Sequence, residues 1–156
     1  MGNCCCGTSS SFSQNQFFST QTEGSINIPF GVNMETTVLT LPVTTTFDLQ
    51  NVKLDYAVQL AFSLAAGNPQ YDYGVRARLR RDGILLVTQT LQQSGSRPGG
   101  AGASVRREHI PNTWADDEAL AGAQTYTVTL EFFQRANANT TLAAETRSLN
   151  AIMFGL

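Results

Sequence analysis

Past residue 6 the chain has no cysteine, and across its 156 residues it has one lysine, Lys53, and one histidine, His109. Charged residues make up 14% of it, well below the roughly one quarter of an average soluble domain. The formal net charge of −2 gives no electrostatic case for binding nucleic acid or an anionic membrane. Long apolar runs are missing too. The best, from Ala57 to Ala66, is broken by Gln59 and Ser63 and falls short of the ~18 apolar residues of a membrane span.

The scarcity extends to chemistry. A single histidine flanked by Arg107 and Glu108, with no nucleophile elbow in the chain, gives no Ser-His-Asp set. Three adjacent thiols and one remote histidine do not make the paired spacings of a structural zinc site. The glycine-rich stretch from Gly95 to Ser104 lacks the Gly-Lys-Ser/Thr that a phosphate-binding loop needs, and reads as a flexible connection. Asp116, Asp117 and Glu118 follow Trp114 in what reads as a solvated acidic loop. No cofactor, metal or catalytic residue is expected, and the chain reads as a non-enzyme.

What is present begins with Cys4, Cys5 and Cys6. Sequence neighbours do not bridge each other in an ordinary disulfide geometry, and the body supplies no partner. The thiols therefore stay free, bind metal, carry lipid or pair with another chain. Residues 1–25 are rich in Ser, Thr, Gln, Asn and Gly, with no charge before Glu23 and with Phe12, Phe17 and Phe18 as spaced aromatic groups. Such a segment cannot bury enough surface to fold alone. Fully extended it reaches roughly 80 Å, twice the about 35–40 Å of a body this size. Its phenylalanines are candidate docking groups on a neighbour.

From residue 26 to 156 the apolar period is 2. Val52, Leu54, Tyr56, Val58, Leu60, Phe62 and Leu64 alternate with mainly polar or small residues, the pattern of a half-buried strand. Tyr71 to Leu79 repeats it, and Asp82-Gly83 turns the chain into Ile84–Leu91 as a hairpin. Thr125–Phe132 is a further strand, with shorter ones expected at 25–30, 35–41, 44–49, 104–110, 140–144 and 148–154. Eight to ten antiparallel strands at this spacing predict an all-β jelly-roll sandwich behind an N-terminal connector. Arg76, Arg78 and Arg80 project from one face of a strand, where like charges repel. Either that face is solvated, or it meets an anion or carboxylates such as Glu108 or the 116–118 cluster of a neighbouring subunit.

The start, Met-Gly-Asn-Cys-Cys-Cys-Gly, lacks the basic and apolar regions of a secretory signal. It partly matches a dual-lipidation signal on Gly2 and the cysteines, with Cys6 where Ser or Thr is expected. A cysteine-bearing connector ahead of a jelly roll resembles the subunits of bacterial endospore appendages, pilus-like fibres on spores. That resemblance implies a homopolymer, helical or of stacked rings, at the cell or spore surface. Its connectors would insert into neighbouring subunits, with Cys4, Cys5 and Cys6 forming intermolecular disulfides and Phe12, Phe17 and Phe18 docking. Because this body lacks cysteine, cross-links must join tail to tail. The strand order and the terminal Ala151-Ile-Met-Phe-Gly-Leu156 also resemble the tumour-necrosis-factor and complement type of trimeric jelly roll, which implies a trimeric adhesive tip.

Overall fold

The computed structural model describes residues 15–155, and all regular structure in them is β. Strand β1 spans Gln16–Thr22, β2 Ile26–Ile28, β3 Glu35–Thr45, β4 Gln50–Leu64 and β5 Gln70–Arg81. Then follow β6 at Ile84–Ser96, β7 at Ser104–Ala119, β8 at Gly122–Arg135 and β9 at Thr141–Met153.

The period-2 pattern sets the faces. Along β4, Val52 to Phe62 place every second side chain in the core at essentially zero exposure. The β5–β6 hairpin closes on Asp82-Gly83, both with positive φ (47° and 84°), the conformation a two-residue type I′ turn requires. Asp82 also fastens that turn to β8. Its amide donates to Thr125 O at 2.9 Å and its carboxylate accepts from Thr125 N at 2.8 Å.

One sheet runs β1-β9-β4-β7 with β2 also on β9, and the other runs β3-β8-β5-β6. β1 and β2 follow one another along β9, with Thr22 opposite Arg147 and Ile26 opposite Ala144. They are two halves of one interrupted strand. Counted so, the strands fall in the orders 1-8-3-6 and 2-7-4-5, the nested Greek keys of a jelly roll. The fold expected from the sequence is therefore the fold observed. Between the sheets Phe62 stacks on Tyr73 with ring centroids 3.7 Å apart, and Phe132 meets Phe62 edge-on at 6.2 Å. Both prolines inside strands, Pro42 and Pro111, lie in strands β3 and β7 at sheet edges, where a missing N–H is tolerated.

Several expected boundaries move. The stretch 35–41 runs on through Pro42 to Thr45 in β3, residues 46–49 of the expected 44–49 strand form the turn before β4, and 140–144 and 148–154 are joined in β9. Residues 116–118 are not a loop but the end of β7, paired to the start of β4. Residues 16–22, taken as connector, form the outer half of the first strand, so a boundary at residue 25 cuts through the sheet. Phe18, Thr20 and Thr22 face inward there. The segment ahead of the sandwich is then 14 residues, with an extended reach of at most roughly 50 Å rather than 80.

Candidate interaction surfaces

Cys4, Cys5, Cys6 and Phe12 lie outside the described residues. The two remaining phenylalanines of the expected connector have opposite surroundings. Phe18 is half-buried against the core, whereas Phe17 is 64% exposed on the outer face. Asn15 accepts a hydrogen bond from Gly155 N at 3.2 Å, which places the entry into the sandwich beside the end of β9.

The arginine row is satisfied inside its own chain. Register sets Arg76 opposite Glu131 and Glu35 opposite Glu131 on the next strand. Arg78 bridges Glu131 at 2.6 Å and Glu35 at 3.0 Å, Arg80 bridges Glu35 at 2.8 Å, and Arg76 reaches Glu131 at 3.4 Å while lying 4.0 Å over the Phe133 ring. Burial opposes ionisation of Glu131, but the Asn33 amide and the two guanidiniums outweigh it and hold its carboxyl below the usual range. Glu35 is likewise lowered: burial raises it, and Thr129, Arg80 and Arg78 more than reverse that. The expected partners, Glu108 or residues 116–118 of a neighbour, are replaced by Glu35 and Glu131. Neither stood out in the sequence, because register alone brings them to the arginines.

Asp116 separates from its two acidic neighbours. It is buried, takes Arg81 Nη1 at 2.6 Å, and accepts the Tyr126 hydroxyl at 2.8 Å. Since β7 belongs to one sheet and β5 and β8 to the other, this trio ties the sheets together. Burial, then the bond to Asp116, pushes the Tyr126 hydroxyl well above the ordinary tyrosine range. Asp117 and Glu118 remain exposed.

Edge strands β6 and β7 face each other across an open seam without backbone pairing. Polar side chains bridge it. Tyr73 OH lies within hydrogen-bond reach of Glu108 at 3.2 Å and Gln93 at 3.0 Å, and the Tyr56 hydroxyl links Gln89 and Asn112. Burial, then the Glu108 charge, raises Tyr73. On the outer face of the first sheet, a shallow hollow of about 500 Å³ is lined by Asp55, Ala57, Thr113, Ser148 and Asn150. His109, beside an adjoining hollow, meets Gln59 at 3.3 Å. Among the described residues no three His, Cys, Asp or Glu side chains converge as a metal set. No helix among them is long and apolar enough to cross a membrane.

The two ends of the sandwich differ in charge. The β3–β4, β5–β6 and β7–β8 connections meet at one end, where Leu49 N donates to Ala119 O and Ala121 N to Asp48. Asp48, Asp82, Asp117 and Glu118 lie here, and among the described residues none is ion-paired. At the other end Arg97 donates to Ala65 O, Arg135 donates to Ala138 O and lies 4.1 Å over Phe30, and Arg106 lies 4.2 Å over Tyr71. None of these arginines is ion-paired among the described residues, and the Glu108 charge acts on Arg106.

No family model and no curated protein matches the chain. Solved structures do. A chain of T=1 particles derived from infectious bursal virus superposes with a TM-score of 0.52 at 8% identity, over 90% of this chain and 32% of that one. The VP2 subviral particle of infectious bursal disease virus gives 0.50 at 7%, over 90% and 33%. This chain thus spans about a third of the length of the solved chains it matches. At such identities the likeness is one of fold.

Proposed function

We propose that the chain is a structural, non-enzymatic subunit that assembles with copies of itself into a surface fibre, reinforced by disulfides among Cys4, Cys5 and Cys6 of different copies. The observation that carries this reading is the anchoring of the cysteine-bearing arm. β1 pairs along β9, and Asn15 is hydrogen-bonded at the end of the sandwich, so the chain ahead of Asn15 joins a defined point on a body that has no thiol of its own. Cys6 is nine residues from Asn15, a reach of at most roughly 30 Å. The sandwich is roughly 50 Å along its longest strand. Two arms anchored one body length apart, one reaching forward and one folding back, can meet; a single arm cannot reach the next anchor. Each disulfide takes two thiols to one S–S bond, and the two protons and two electrons pass to dioxygen or to a low-molecular-weight disulfide.

That the two solved chains named above come from viral particles agrees with a jelly roll used as a building block. Negative-stain microscopy of the full chain after air oxidation tests the reading. Fibres or stacked rings are expected, single bodies would refute it, and discrete trimers would favour the adhesive-tip reading.

A further inference from the structure

The ends of the sandwich pair apolar groups with opposite charge. At the acidic end Leu49 is 66% and Leu120 59% exposed, with Ile84 on the adjoining turn. Leu49 has φ 61°, a left-handed conformation that costs a branched residue on the order of 1 kcal/mol or more. Its N–H, donated to Ala119 O at 2.8 Å, holds it there. Backbone strain is thus spent on a leucine whose side chain meets solvent. At the basic end Val32 is 63% exposed and Met34 half so, beside Phe30 under the Arg135 guanidinium. A solitary exposed leucine needs no explanation. Apolar groups at both ends, one set ringed by unpaired acids and the other by unpaired arginines, have a self-complementary arrangement.

We propose that the acidic end of one copy docks on the basic end of the next, so that copies stack end to end along their strands. The occupant of each end is a second copy of this chain. Apolar groups meet at the centre of the contact, and Asp82, Asp117 and Glu118 face Arg97 and Arg135 at its rim. Such a contact is heterologous and leaves each copy with one free end of each kind, so it propagates as a filament unless it closes as a ring. The inference rests on the self-assembly reading and says which surfaces perform it.

The test uses two charge-reversed full-length variants under reducing conditions, followed by sedimentation velocity. One carries Asp117→Lys with Glu118→Lys, whose exposed side chains make no ion pair among the described residues. The other carries Arg97→Glu with Arg135→Glu. Each alone places like charges at every junction and should associate at least about tenfold more weakly than wild type. Mixed one to one, they bring opposite charges together at every junction of an alternating stack and should co-assemble. Val32→Glu, which leaves both loop-bracing arginines in place, should weaken association in the same way if Arg97→Glu with Arg135→Glu fails to fold. Variants that assemble like wild type, or weakened variants that mixing does not rescue, would overturn end-to-end docking while leaving self-assembly standing. A wild-type chain that stays monomeric under both reducing and oxidising conditions would overturn the broader reading as well.

Discussion

Two arginines are buried almost equally, Arg81 at 7% and Arg147 at 3% exposure, and their surroundings could hardly differ more. Arg81 has Asp116 at 2.6 Å, with Tyr126 completing the carboxylate's bonds. Arg147 has no carboxylate partner among the described residues. Its Nη1 donates to the carbonyls of Ala144 and Glu145 at 2.6 and 2.7 Å, its Nε has no partner, and burial lowers its pKa. The first is a clamp between the sheets at the acidic end. The second lies where the first strand breaks between β1 and β2. An uncompensated buried cation costs stability wherever it sits, so the fold is tight at the clamp and weak at the break between β1 and β2.

The largest effect that would sharpen this comparison is on the clamp. Asp116→Ala leaves Arg81 buried and unpaired, and should cost about 3–5 kcal/mol in chemical denaturation. Glu131→Gln should cost about 3 kcal/mol at neutral pH by the same reasoning, softened by the partial exposure of its arginines. Its pH signature is separate. A carboxyl lowered by folding contributes stability that is full above its unfolded pKa of roughly 4.3 and lost as pH falls through the folded value. Wild type should therefore lose stability below about pH 4.3, and Glu131→Gln should flatten part of that loss. A parallel acid limb in both proteins would contradict the assignment.

Arg147→Met should change stability by less than about 1 kcal/mol, or raise it, because an apolar side chain removes the desolvation cost. If it costs as much as Asp116→Ala, the comparison between the two arginines breaks. The smallest effect is kinetic. Amides of Gln16–Thr22 should exchange with solvent well before those of Val52–Phe62, since local opening reports low stability. Equal protection would remove the weak junction. At the alkaline extreme the buried Tyr73 and Tyr126 hydroxyls, both raised by folding, keep their stabilisation below about pH 10 and lose it as pH climbs further.

The core was legible in the sequence because burial writes a strict alternation, as from Val52 to Leu64, and the Asp82-Gly83 turn because its backbone admits few other residues. Pro42 read as a break because proline ends central strands, yet β3 is an edge strand. Three successive acids after Trp114 read as a loop because only Arg81, thirty-five positions away, makes a buried Asp116 tolerable. Polar 16–22 read as tail because a single inward phenylalanine, Phe18, joins two threonines on its buried face. The arginine row was visible, but its acids were not, since cross-strand register is a property of three strands at once.

Covalent self-assembly through Cys4, Cys5 and Cys6 is tested by denaturing electrophoresis of the oxidised full chain. Without reductant a ladder extending past the dimer is expected, collapsing to one monomer band on reduction and absent when all three cysteines are serine. A monomer band alone in the oxidised, unreduced sample would contradict it.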